Sequence, residues 1–157
     1  MRNRRGVMSS TKPSMVNGSV RARARAGRQG GAGLLRRTIG CGVDVVELDR
    51  FTQAIRRGGA AFRRRIFTAQ EQAYARRRRR MEFLHLAGRF AAKEAVIKAL
   101  SQLAPDQVPT MKQVEVRNDR LGRPHIILHR RLPRRVQVHV SLSHVKSVAV
   151  ASAIAIR

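Results

Sequence analysis

Residues 148–156 read Val-Ala-Val-Ala-Ser-Ala-Ile-Ala-Ile, apolar at every position but Ser152. Successive residues of a β-strand point to opposite faces, so this run predicts a strand buried on both faces. Such a strand requires a sheet with other elements packed on it. The 157 residues suffice for one compact domain plus a tail.

Further elements follow from periodicity. Over residues 38–46, Ile39, Cys41, Val43 and Val45 alternate with Gly40, Gly42, Asp44 and Val46, predicting another strand. A helix is expected over about 47–57, with Leu48, Phe51 and Ile55 on one face and Gly58-Gly59 as its stop. Thr68-Ala-Gln-Glu71 is a capping-box pattern that starts a second helix, which runs into five successive arginines, Arg76 to Arg80. A third helix over about 82–103 draws its apolar residues from Phe83, Leu86, Phe90, Ile97 and Leu100. Strands are expected at 113–117, 125–129 and 136–142, the first two joined by a turn at Asn118–Gly122. One strand, three helices and four strands predict an α+β domain, with helices packed on one face of a mainly antiparallel sheet.

Charge divides the chain. There are 34 Lys+Arg against 9 Asp+Glu, a net charge of +25. Residues 1–38 hold ten of the bases, no acid, and no helical or strand period. They read as a disordered basic extension ahead of a domain at 39–157, because so little apolar surface cannot offset the entropy of ordering. The extension resembles an organellar transit peptide in being Arg-rich and acid-free; a plain basic tail or a misassigned start are the alternatives. The domain keeps a large basic excess of its own, so polyanions are expected partners: nucleic acid, a phosphorylated cofactor, an acidic protein or an anionic membrane surface. No apolar run is long enough for a membrane span, and a single cysteine, Cys41, forms no intrachain disulfide; a reducing cytoplasmic setting is expected. Cys41 itself reads as a packed small hydrophobe.

Among so many bases the placement of the acids is informative. Asp44 sits within Gly40-Cys-Gly-Val-Asp-Val-Val46, where a carboxylate must be paired, hydrogen-bonded or metal-bound to be tolerated. A structural ion pair with an arginine is the plainer account. Glu94 and Lys98 are spaced i, i+4 and share a helix face, where an exposed Glu–Lys pair is again the plainer account. Their flanks, Phe90, Ala91, Ala92, Ala95, Val96 and Ile97, are apolar and mostly small, so this helix can pack closely on a neighbour. If that neighbour is the first strand, Asp44 and Glu94 converge into the two-carboxylate arrangement that holds Mg²⁺ beside a phosphate, with Lys98 one turn away.

Gly42-Val-Asp44-Val, Gly88-Arg-Phe-Ala-Ala-Lys-Glu94-Ala-Val-Ile-Lys98 and Val140-Ser-Leu-Ser-His144, in this order, resemble the motifs of the small bacterial-type holo-acyl-carrier-protein synthases, which are 4′-phosphopantetheinyl transferases. The resemblance covers residues 39–157. It implies that a serine of an apo acyl carrier protein attacks the β-phosphorus of coenzyme A, releasing adenosine 3′,5′-bisphosphate, in support of fatty acid biosynthesis. By the same resemblance Asp44 and Glu94 ligate Mg²⁺, Glu94 and Lys98 are catalytic, and Lys98 contacts the pyrophosphate. Arg89 and His144 lie near the 3′-phosphate of coenzyme A, Pro124 packs by the adenine, and Arg50 and Arg57 meet the acidic carrier. The family also implies a homotrimer with active sites shared between subunits. The sequence departs from the family pattern at Ser101, where glycine is common, through the glycine-poor stretch to Pro109, and in the density of Arg76–Arg80.

The competing class is a basic nucleic-acid-binding, ribosome-associated protein without catalysis, which the charge alone favours. It gives no account of Asp44 or of Glu94 and Lys98. Aromatic residues are only 4% of the chain, too few for base-stacking platforms, so nucleic acid is expected to bind nonspecifically if at all. The five histidines lack zinc spacing. His125, His129 and His139 read as ordinary strand residues. The residues leave the general base open among Glu94, a water molecule and a group on the partner.

Overall fold

The structure is a computed structural model that describes residues 38–132 and 135–157. The extension read over residues 1–38 lies, Thr38 apart, outside the described residues. The elements in chain order are β1 (Ile39–Glu47), α1 (Leu48–Ile66), α2 (Ala69–Arg76), a 3-10 turn (Arg79–Met81), α3 (Glu82–Leu103), two further 3-10 turns, then β2 (Val114–Asn118), β3 (Pro124–Leu128), β4 (Gln137–His144) and β5 (Val148–Ile156). The α+β architecture matches the sequence expectation. The strands form two antiparallel sheets: a three-stranded sheet in the order β1-β5-β4 and a two-stranded β2-β3 ribbon.

α3 is the organising element. It is apolar around most of its circumference, and Leu86, Ala87, Ala91, Ala92, Ala95, Val96 and Ala99 are all buried. It lies on β1 and β5 at backbone distance, because β1 offers glycine at the crossing. A Cβ on Gly42 would stand 2.0 Å from the carbonyl oxygen of Ala95, and one on Gly40 would stand 2.1 Å from that of Ala99. Ala149, Ala151, Ala153 and Ala155 of β5 complete this face.

Three expectations are corrected. Residues 148–156 are buried on one face only: the alanines point to α3, whereas Ile154 is 47% exposed and Ser152 is exposed. All helices lie on one side of the sheet, so the opposite face, with Ile39, Val43 and Val45, has no cover among the described residues. Cys41 points to that same face and is exposed rather than packed. Finally, Gly58-Gly59 kinks the first helix without ending it. Gly59 adopts φ 56°, a conformation that costs glycine little, and α1 resumes to Ile66. The resumed turn buries Ile66 in the core.

The capping box forms as expected. Thr68 Oγ1 accepts from the Glu71 N–H, and Glu71 Oε2 accepts from the Thr68 N–H. Among the described residues, no helix is long and apolar enough to cross a membrane.

Candidate active site

Asp44 lies on the strand face that meets α3, and its side chain is only 17% exposed. The close glycine-mediated approach of β1 and α3 brings it toward Glu94 and Lys98. Asp44 and Glu94 line one cleft of ≈ 470 Å³, whose apolar wall includes Phe51, Phe62 and Phe90. Burial first, and the negative charge of Asp44 second, raise the pKa of Glu94 above its ordinary value, against a smaller opposing effect of Lys98. The convergence expected from sequence is therefore present. The Glu–Lys pair on the helix is not the dominant contact: Lys98 Nζ pairs with Asp44 Oδ1 at 2.8 Å and donates to the Val43 carbonyl at 2.9 Å.

Two carboxylates forced together, with hard oxygen donors alone, suit a divalent cation such as Mg²⁺, which favours a few carboxylates and completes its shell with water and phosphate oxygens. Among the described residues no group of three or more His, Cys, Asp or Glu could hold a metal, so the pair needs ligands from a substrate or solvent.

A second cleft of ≈ 390 Å³ lies beside the N-terminal half of α3 and gathers Arg89, Pro124 and His144, the three residues placed by resemblance at the nucleotide end of coenzyme A. Arg89 is 5% exposed, and burial is the first cause lowering its pKa. Its Nη2 donates to Asn118 Oδ1 at 2.8 Å, and its guanidinium stacks on the Tyr74 ring at 3.8 Å. The Nε of Arg89 is buried without a partner among the described residues, so within them this cation retains unused donor capacity. Arg89 and Glu94 are five residues apart, about 7.5 Å along the helix axis. They also stand about 140° apart around it, so the two clefts open on different sides of α3.

Sequence reasoning missed Tyr74, His85 and Asn118, which line the second cleft with Arg89. The spacing of His85 and Arg89, i and i+4 on one helix face, was the available signal for one of them. It also missed the part of Lys93. This side chain is fully buried and its Nζ lies 2.7 Å from Glu71 Oε2, donating also to the carbonyls of Ile66 and Met111. Glu71 in turn accepts from the Val116 N–H at 2.9 Å. This satisfied network ties α2 and β2 to α3, fixing the walls of the second cleft.

Arg50 and Arg57 lie exposed on α1. Arg50 stands at the rim of the carboxylate cleft; Arg57 does not line it. Ser101 continues α3, where its Oγ donates to the Lys98 carbonyl at 2.8 Å.

Comparison with known proteins accords with this geometry. Residues 40–153 match the 4′-phosphopantetheinyl transferase superfamily. The chain is 38% identical over 120 residues to a holo-[acyl-carrier-protein] synthase of Protochlamydia amoebophila, covering 74% of this chain and 97% of that one. It is 40% identical over 124 residues to the synthase of Alkaliphilus oremlandii, covering 74% and 98%. Among solved structures, the coenzyme A complex of the Chronobacterium ammoniagenes synthase superposes with a TM-score of 0.64 at 30% identity, over 75% of this chain and 96% of that one. The Mycobacterium tuberculosis acyl carrier protein synthase gives 0.56 at 35% identity, over 74% and 95%. Motif order, fold and extent of match agree, and the chain belongs to the 4′-phosphopantetheinyl transferase superfamily.

Proposed function

We propose that this protein transfers the 4′-phosphopantetheine moiety of coenzyme A to a serine of an apo acyl carrier protein, with Mg²⁺ as its metal and fatty acid biosynthesis as the process served. The observation that carries this reading is the arrangement on and beside α3: a buried arginine in one cleft and, about one and a half turns further along the helix, Glu94 in another cleft with Asp44 of β1, which Lys98 pairs.

In this reading Arg89 and His144 hold the 3′-phosphate, Pro124 packs on the adenine, and Lys98 meets the pyrophosphate; Arg89 and Lys98 stand on opposite sides of α3, which suits a site completed by a neighbouring copy. The serine oxygen bonds to the β-phosphorus as the bond from that phosphorus to the bridging oxygen breaks, and adenosine 3′,5′-bisphosphate leaves. Lys98, already directed at Asp44, donates to the pyrophosphate oxygens and stabilises charge on the leaving group. The serine proton passes to Glu94, to a water beside it or to a group of the carrier. Asp44 and Glu94 would hold the Mg²⁺, which supplies further neutralisation of phosphate charge. Arg50 and Arg57 steer the acidic carrier to the rim of the cleft.

The uncovered apolar sheet face supports a homotrimer with shared active sites. Ile39, Val43 and Val45 are 62%, 58% and 61% exposed, a patch that a second copy would bury. The proposed setting is the cytoplasm, with organellar import the alternative if residues 1–38 act as a transit peptide.

The direct test is incubation with coenzyme A, Mg²⁺ and an apo acyl carrier protein, followed by the mass of the carrier. A gain of one phosphopantetheine that EDTA abolishes is expected. No gain with several carriers would overturn the reading.

A further inference from the structure

One titratable group on the wall of the Arg89 cleft has no part in the proposed transfer. His85 lies one turn before Arg89 on α3. Its ring stands edge-on to Tyr74, with centroids 5.6 Å apart, and edge-on to His144 at 6.5 Å. His85, Tyr74, Arg89 and His144 line the same cleft. The charged and titratable groups around the ring are Arg89 on its own helix, Tyr74 of α2 and Arg78 just beyond it, and His144 at the end of β4. Burial first, then the charges of Arg89, Arg78 and His144, lower the imidazole pKa to about 4, so the ring is neutral at neutral pH.

We infer that His85 is a proton-coupled contact for the phosphorylated end of coenzyme A: neutral in the free protein, it takes up a proton when the 3′-phosphate offsets the charges of Arg89 and Arg78, and so adds a cation to that end of the cleft. The inference rests on the placement of coenzyme A proposed above. Each cation that now keeps a proton off the ring would face a phosphate in the complex, so the electrostatic part of the effect reverses while burial persists. A group whose pKa rises on binding strengthens binding as pH falls through its bound-state value, and the gain levels off below its free value of about 4. Below the free value each unit of rise is a factor of about 10 in affinity, and at about pH 5 a tenfold gain takes a rise of about two units. Dephospho-coenzyme A, which lacks the 3′-phosphate, brings no such charge to the ring. His85 thereby favours the 3′-phosphorylated ligand, and does so increasingly on the acidic side.

The test is calorimetric titration of the full chain with coenzyme A, adenosine 3′,5′-bisphosphate and dephospho-coenzyme A. Titrations run between about pH 5 and 8 in buffers of differing ionisation enthalpy. They compare the natural protein with His85→Phe, which keeps the aromatic edge, and His85→Gln, which serves if the first variant folds poorly. The expected result is greater proton uptake by the natural protein, and an advantage over the variant of roughly tenfold at the acid end, for the two 3′-phosphorylated ligands only. The second ionisation of the phosphate, near pH ~6, opposes this trend but acts alike on both proteins, so their difference isolates His85. Equal pH profiles and equal proton uptake in the natural protein and the variants would overturn the inference, as would the same His85 dependence with dephospho-coenzyme A. Arg89→Met leaving coenzyme A affinity unchanged would instead overturn the placement of the ligand, and the inference with it.

Discussion

Lys98 Nζ lies 2.8 Å from Asp44 Oδ1 while donating to the carbonyl of Val43, so a single ammonium clamps α3 to the edge strand β1. The lysine is 43% exposed and Asp44 17%. Part-exposed pairs of this kind contribute little to stability, which directs attention to what the ammonium does for a bound phosphate. Lys98→Met is expected to leave the thermal midpoint nearly unchanged and to lower the transfer rate by on the order of 10²-fold. Steady-state kinetics beside a melting curve check this; unchanged kcat would remove Lys98 from the chemistry.

Glu94→Ala is expected to remove transfer by on the order of 10²-fold or more while the fold persists, because the metal pair loses one carboxylate. The raised pKa of Glu94 adds a pH dependence. Mg²⁺ must displace the proton, so its affinity falls as pH drops through the elevated Glu94 value, and this loss begins at higher pH than an ordinary glutamate would give. Mg²⁺ titrations across mildly acidic pH check the sign. A midpoint at or below the ordinary glutamate value would contradict it.

Gly42→Ala and Gly88→Ala provide a matched contrast. The new methyl at position 42 meets the Ala95 carbonyl oxygen at 2.0 Å, whereas at position 88 the nearest atom is Leu142 Cδ2 at 3.6 Å, an ordinary contact. Gly42→Ala is expected to destabilise the fold by about 1–3 kcal/mol or more and to depress transfer by separating Asp44 from Glu94. Gly88→Ala should fold normally. Chemical denaturation of the two variants decides; equal stability would mean the β1–α3 contact is not backbone-close.

Arg50→Glu reverses a charge at the rim of the carboxylate cleft, outside the lining of the Arg89 cleft. Carrier affinity is expected to fall, with a weaker salt dependence of association, and coenzyme A affinity to stay near its original value. Separate titrations with carrier and with coenzyme A test this, and equal losses for both ligands would contradict the assignment.

Val43→Lys places a charge in the uncovered apolar face, where Val43 is 58% exposed. If neighbouring copies cover that face, the variant should sediment as a smaller species than the natural protein and lose transfer together with assembly. A variant of unchanged size would rule this face out as the subunit interface.

The sequence determined a good deal. The capping box at Thr68 and Glu71, the length of α3, and the order of one strand, three helices and four strands were legible because each depends on local periodicity or a short motif. Asp44, Glu94 and Lys98 stood out because charge among small apolar residues needs a reason, and the family motifs added Arg89, Pro124 and His144. What only the tertiary structure decided is which faces are covered. An apolar run such as 148–156 cannot say whether one side or both will find a neighbour, and here α3 covers only the alanine side. Whether Gly59 stops or bends a helix likewise depended on a core position for Ile66 beyond it. The pairing of Lys98 with Asp44, the burial of Lys93 beside Glu71, and the gathering of Tyr74 and His85 around Arg89 are contacts between segments far apart in the chain or on different elements. The first depends on Gly40 and Gly42, which let α3 settle on β1 at backbone distance; the others depend on α2, β2 and β4 packing against the first half of the same helix.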